Sequence, residues 1–453
     1  MQSSKPKGPP IDLATTPVQF NSPLQKAADV VIVGAGIMGI CAAWELQKLG
    51  KSVVVCEKGR VAGEQSSRNW GWVRQTGRDP DELPIMIESI SLWKEIARDT
   101  CDNNLLFSEQ GVLYLANNPE EIKRFEAFAE LARSHGLHSQ LLSSGEAKKR
   151  IPSYNGDILG AVFTGTDGRV EPWGAVPALA RACINAGVSI TESCAVRTIE
   201  QTNGVVSGVV TEHGTIKTEN VLVAGGAWSS MLTRQVGIDF PQLSVTSFAV
   251  RIDGTPELFS GNVADHGLGI CRRLDGGYNI ALTDYHDFVV GPDAFAHLMP
   301  FSQAAKHSWK DIHFKINAPA NYPGGWRTAR RWKANDVTPF EHNRILNPAT
   351  KTKVIERIKE RLHERFDDMD AARVSHAWAG YIDTTPDFVP ILDETPLSGL
   401  YLATGFSGHG FGIGPGVGRV MAKMITDAPV EHDLTRFRFS RFTDGSTLKL
   451  GPM

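Results

Sequence analysis

The stretch VVIVGAGIMGICAAWELQKLGKSVVVCEKG, Val30 to Gly59, decides the fold. Val30–Val33 is an uninterrupted apolar run, the mark of a strand buried on both faces of a parallel sheet. Gly34, Gly36 and Gly39 follow in the spacing G-x-G-x-x-G. The first glycine permits a tight turn, the second a close backbone approach to a pyrophosphate, and the third close packing of helix on strand. The spacing predicts a helix from about Ile37 to Leu49, ended by Gly50, whose N-terminal N–H groups around Ile37 and Met38 point at the phosphates. Ser52–Cys56 reads as the second strand. Glu57, 18 residues past Gly39, stands where an acid accepts hydrogen bonds from ribose hydroxyls. Strand, helix, second strand and terminal acid together make a dinucleotide site, but the motif separates FAD from NAD only loosely.

Composition narrows the class. At 453 residues the chain is long enough for two or three domains. A net charge of −3 offers no basic field for nucleic acid. The six cysteines are scattered without a C-x-x-C, so neither a metal site nor a disulfide framework is indicated, and a reducing compartment, the cytoplasm, is expected. Residues 1–28 are polar and Pro-rich, lack the apolar core of a signal peptide, and read as a flexible segment. No run of 18 apolar residues predicts a membrane span. Peripheral membrane contact stays open.

Further along, Gly63–Pro80 is a loop with two tryptophans and three arginines, and EEIKRFEAFAELARSHG and TKVIERIKERLHERF carry helical periodicity. VRTIEQTNGVVSGVVTEHGTIKTE reads as a hairpin, and NVLVAGGAWS as another buried strand ending at Gly225, Gly226 and Trp228. A strand, a Gly-rich loop and a terminal helix close the chain in GLYLATGFSGHGFGIGPGVGRVMAKMITD. The nucleotide half is therefore discontinuous. The expected division is an FAD-binding domain from 29–85, 150–240 and 372–453, with a substrate-binding domain from 86–149 and 241–371.

Taken in order, VVIVGAGIMG…VVVCEKG, the DGRVEP helix entry, NVLVAGGAWS, WAGYIDTTPD and LATGFSGHGFGIGPGVG resemble the D-amino-acid oxidase superfamily, nearest its sarcosine oxidase, glycine oxidase and D-amino-acid dehydrogenase branches. The resemblance implies an α/β (α+β) fold: a Rossmann-like FAD-binding domain, and a discontinuous second domain built on a mixed, largely antiparallel sheet. It implies FAD held by Gly34, Gly36, Ile37, Met38, Gly39, Glu57, Lys58, Ser66, Ser67, Val196, Gly225, Gly226, Trp228 and the loop Gly408, His409, Gly410, Phe411 and Gly412. It also implies oxidation of a C–N bond next to a carboxylate. A hydride passes to the flavin, and the imine is hydrolysed. N-alkyl glycines, iminodiacids and D-amino acids are the substrates in view, with oxygen or an electron-transfer partner such as a quinone as acceptor. A non-catalytic FAD-binding protein is the alternative from another class.

Candidate chemistry rests on few residues. Backbone donors of Ser407–Phe411 and the dipole of the helix behind them suit the charge that gathers on reduced flavin, with His409 as a positive or donating group. A substrate carboxylate wants a bidentate arginine. Arg74 falls at or within one position of the arginine that sarcosine oxidases use. Their lysine after S-G-H-G-F is Gly412 here, so Arg273 or Arg327 is expected to complete the clamp. His286 matches a substrate-facing histidine and is the candidate base. The cysteine that carries FAD in sarcosine oxidases would fall near Gly380, and no histidine lies between Glu57 and Pro80, so the FAD is expected to be non-covalent.

Overall fold

The computed structural model describes residues 10–451. Two large sheets organise them. The first has six strands, in the order Ile391–Glu394, Leu400–Thr404, Asn220–Val223, Val30–Val33, Val53–Cys56 and Ser189–Thr191. All its pairings are parallel except the edge strand Ile391–Glu394, which runs antiparallel to its neighbour. Val30 sits opposite both Asn220 and Val53, so the apolar run is central and buried as its composition demands. The helix Ile37–Lys48 follows, with Leu49 as its C-cap and Gly50 in the left-handed region at φ 75°.

Close packing around this unit is steric fact. A Cβ on Gly39 would lie 2.0 Å from the carbonyl oxygen of Gly34, and one on Gly34, itself at φ 105°, 2.6 Å from that of Ala224. Helix Gly410–Ile425 packs across helix Ile37–Lys48, and both rest in one apolar core with helix Leu83–Thr100.

The second sheet has ten strands and is mixed, largely antiparallel, as expected. Its long strand Leu243–Asp253 pairs with Tyr278–Leu282, His286–Val289 and Arg373–Thr384. The parallel pairings are Asn262–Ala264 with Val112–Ala116, and His286–Val289 with Ile312–Lys315.

Three expectations need correction. The chain crosses between the halves more often than the boundaries at 85, 150 and 372 allow. Strands Gly160–Thr164 and Arg373–Thr384 belong to the second sheet. Helix Leu83–Thr100 instead joins the nucleotide core, because Trp93 and Ser89 both donate to the carbonyl of Gly412. The hairpin is a three-stranded meander, Val196–Thr202, Val205–Thr211 and Gly214–Lys217, since GTIK supplies a third strand. Finally, of the segment 1–28, residues 1–9 lie outside the described residues, while the remainder is pinned to the surface. Phe20 is buried, the backbone N–H of Gln19 donates to Glu192, and Asn21 bridges to Thr191. No helix among the described residues is long and apolar enough to cross a membrane.

Candidate active site

A cavity of about 1020 Å³ runs from the end of strand Val53–Cys56 to the second sheet. At its first end stands Glu57. The carboxylate accepts from the N–H of Ala35 at 2.8 Å and of Gly59 at 2.7 Å, and burial pushes its pKa up to about 6. Gly34, Gly36, Ile37 and Met38 line the wall beside it. The helix start at Gly36 has no side-chain cap of its own; the Ile37 N–H donates to the Ser66 hydroxyl at 2.9 Å. The positive end of this helix, with its remaining N–H groups, suits a pyrophosphate. Lys58, Val196, Gly225, Gly226 and Trp228 also line this end. The Lys58 ammonium is committed to Glu64 and to the carbonyls of Asn343 and Arg344, and it lies 4.5 Å from the Trp228 ring. A mononucleotide-sized cradle with a buried acid and a helix N-terminus fits the adenosine and pyrophosphate of FAD.

The loop Gly405–Phe411 forms the other end. Asp383 organises it: this buried carboxylate accepts from the N–H of Gly405 at 2.8 Å and from the side chains of Gln65, Gln242 and Thr404. Ser407 sits at φ 50° and Gly408 at φ 86°, so two successive residues take left-handed backbone and turn the chain into helix Gly410–Ile425. Gly408, His409, Gly410, Phe411 and Gly412 all line the cavity. Sequence reasoning missed Asp383, although it sits inside the recognised IDTTPD stretch. Its role depends on partners from three distant segments.

Of the two roles expected of His409, a positive or a donating group, burial removes the positive one. Burial, with Arg74 and Arg78 nearby, holds its pKa well below the ordinary histidine value, so it is neutral rather than positive at pH 7. The positive groups here are the arginines. Arg78, also unforeseen, donates to the carbonyls of His409 and Arg74 and pairs with Glu82 at 2.9 Å in full burial. It ties the loop carrying Arg74 to the loop carrying His409.

The expected substrate residues separate. Arg74 lines the cavity, with its guanidinium 5.8 Å from the Tyr114 ring. Its one bonded donor goes to the carbonyl of Thr76. No acid among the described residues pairs with it. The other cavity arginines are occupied: Arg78 by Glu82, Arg124 by Glu121, and Arg60 and Arg68 by backbone carbonyls and neighbouring polar side chains. His286 also lines the cavity; its Nδ1 is 2.7 Å from the Ser247 hydroxyl, and burial lowers its pKa, leaving it neutral.

Arg273 and Arg327 do not complete a clamp. Arg273 is buried away from the cavity, held by Asp275 and Asn279 and stacked 4.4 Å from the Trp173 ring. Arg327 is exposed outside the cavity. Gly39 and Ser67 also lie behind the wall: Gly39 serves helix packing, and the Ser67 hydroxyl accepts from the Ile11 N–H.

From Arg74 an aromatic file leads outward. Trp70 and Trp72 lie 5.4 Å apart, Trp72 and Tyr114 5.8 Å, and Tyr114 and Phe125 6.3 Å. Phe128, Leu131, Leu115 and Val162 continue it as an apolar limb of the cavity.

A two-sheet flavin fold with this cavity defines a class, and comparison with known proteins gives its family. The profile of the DAO family, FAD dependent oxidoreductase, matches residues 29–424, and the chain belongs to that family. Mitochondrial sarcosine dehydrogenase of Mus musculus is 25% identical over 433 residues, covering 93% of this chain but only 42% of that protein, so the chain spans less than half of that relative's length. Sarcosine oxidase subunit beta of Arthrobacter sp is 27% identical over 93% of this chain and 92% of its own. Among solved structures, L-amino acid deaminase from Proteus myxofaciens, in complex with anthranilate, superposes with a TM-score of 0.89 at 28% identity, over 95% of this chain and 97% of that one. Sequence reasoning weighed N-alkyl glycines, iminodiacids and D-amino acids. It did not weigh L-amino acids, the substrates in the name of this structural neighbour.

Proposed function

We propose that the protein oxidises the C–N bond of an α-amino acid, with FAD as the electron acceptor, and that the substrate carries a sizeable apolar side chain. The observation that carries this reading is Arg74: a cavity guanidinium with four N–H donors to spare and no acid, at the root of an apolar limb. An α-carboxylate on Arg74 lets the side chain run along Tyr114, Phe125 and Phe128. Glycine or sarcosine would leave that limb without an occupant. The likeness to L-amino acid deaminase supports the same choice.

FAD, when bound, accepts the hydride from the substrate α-carbon. Gly34, Gly36, Ile37 and Glu57 would hold its adenosine and pyrophosphate, and the Gly408–Gly412 loop its flavin. The chain's own residues bind and orient. Arg74 fixes the carboxylate, and Arg78 keeps Arg74 and His409 in one rigid unit. The neutral imidazole of His286 is available to take a proton from the substrate ammonium, which must be shed before the α C–H can leave as hydride. Trp70, Trp72 and Tyr114 keep water from the reacting carbon. The resulting imine hydrolyses to an oxo acid and ammonia, or an amine.

An anaerobic screen tests this reading. Large apolar L-amino acids should bleach the flavin band, with D-amino acids, sarcosine and iminodiacetate slower. Bleaching by sarcosine alone would defeat the assignment of the apolar limb, and bleaching by none would favour a non-catalytic FAD protein. Air reoxidation then separates oxygen from a quinone or protein acceptor.

The flavin should also leave the protein on acid precipitation. A Cβ at Gly380 would lie 3.1 Å from the Cβ of Arg68, so the region where the resemblance to sarcosine oxidases would put an attachment cysteine is backed by a buried arginine. Yellow colour retained in the pellet would contradict a non-covalent site.

A further inference from the structure

Strand His286–Val289 has a second chemical face. His286 looks into the flavin cavity, whereas its neighbours Tyr285 and Asp287 meet a cationic niche on the other side. The niche is made by two elements. Strand Ile312–Lys315 brings His313, stacked on Tyr285 at 4.0 Å, and Lys315. Helix Thr352–Arg365 brings its own N-terminus, whose N-cap is Lys351, with no side-chain cap and no acid in the first turn.

Positive charges crowd there and are answered only in part. The ammonium groups of Lys351 and Lys353 each lie 5.6 Å from the Tyr285 ring. Lys351 pairs with Asp287, and the Lys351 ammonium depresses the pKa of neighbouring Lys315. Arg357, 5.9 Å from the same ring, is matched by Asp284, which Arg361 also contacts. Neither Lys315 nor Lys353 forms an ion pair among the described residues, although Asp287 also attracts Lys315, so the niche carries an excess positive charge. It also holds buried polar atoms without partners. The Tyr285 hydroxyl, on a residue only 4% exposed, has none, nor does His313 Nδ1; Asp287 Oδ1 also lacks one, but as an acceptor it calls for a donor and not for an anion. Native folds rarely leave such atoms empty-handed unless a water or ligand meets them.

We propose that this niche binds a phosphate-type oxyanion, held by Lys315, Lys351, Lys353, the Tyr285 hydroxyl and the N-terminal N–H groups of helix Thr352–Arg365. A tetrahedral oxyanion suits it better than a carboxylate, because the donors come from several directions and a helix N-terminus favours negative charge. The group belongs to a free phosphate compound or to a lipid headgroup; exposed Phe314 and Ile316 flank Lys315 on the outer strand. The site shares the wall of Asp284 and His286 with the flavin cavity, but its donors do not line that cavity and it does not depend on the substrate reading.

The test uses the FAD-loaded protein in buffer free of other oxyanions. Inorganic phosphate, followed by calorimetry, should bind saturably. K315Q/K353Q should weaken it on the order of 10-fold or more, since charge-assisted donors are lost. Y285F should weaken it several-fold, and R74A should leave it intact. An unchanged melting profile for K315Q/K353Q excludes misfolding. Sedimentation with phosphatidylcholine vesicles, with and without phosphatidylglycerol, identifies the source: capture that K315Q/K353Q abolishes points to a headgroup, and phosphate binding without capture to a free compound. Absence of saturable phosphate binding overturns the site. So does binding that K315Q/K353Q leaves unchanged, or that R74A alone removes.

Discussion

Replacing Arg74 by alanine is expected to raise the substrate KM on the order of 10- to 100-fold while FAD occupancy stays at the parent level. The guanidinium makes a single hydrogen bond, to the Thr76 carbonyl, and pairs with no acid among the described residues, so its removal leaves the substrate carboxylate without its donors. Loss of a charge-assisted pair costs about 1.5–3 kcal/mol, and each 1.4 kcal/mol is about a factor of ten. Arg74→Lys should recover only part, because a point charge cannot make two parallel bonds. Arg273→Gln serves as the contrast. Its side chain is bound to Asp275 and Asn279, so that change should lower the melting temperature and leave KM alone. Steady-state kinetics on flavin-loaded protein decide the matter. An alanine variant with the parent KM would remove Arg74 from the site, and with it the apolar limb as the side-chain pocket.

The second large effect is at Glu57. Glu57→Ala removes an acceptor for two ribose hydroxyls and should weaken FAD at least about 10-fold, as read by flavin fluorescence on titration of the apoprotein. The pH dependence gives a sharper signature. Burial raises this carboxyl to a pKa of about 6. Ribose O–H donors need the ionised form, so FAD affinity should be level above about pH 7 and decline as pH falls through 6. The apoprotein should respond with the opposite sign. A pKa raised above its unfolded value of 4.5 adds stability that is fully present below 4.5 and is lost as pH rises through about 6. Acid therefore favours the empty fold and disfavours the cofactor. In Glu57→Ala both trends should flatten between pH 5 and 7. If the parent affinity does not change across that range, Glu57 is not the ribose acceptor.

The nucleotide unit was readable from the sequence because its determinants are local. Val30–Val33, the three glycines, the helix and Glu57 lie within 28 residues, and strand burial, glycine sterics and helix ends act over that distance. The order of the later motifs was enough for the two-sheet plan and for FAD. What a loop arginine faces is another kind of question. The resemblance singled out Arg74 as the anchor, but nothing local told what Arg273 and Arg327 face, each beside glycines and polar residues. Only tertiary packing set Arg74 over Tyr114 in the cavity, turned Arg273 onto Asp275 and Trp173, and left Arg327 in solvent. Charge state followed the same rule. His409 is neutral because it is buried beside Arg74 and Arg78, residues more than 300 positions away in the chain. Desolvation and Coulomb terms depend on distances in space, and no local pattern encodes them.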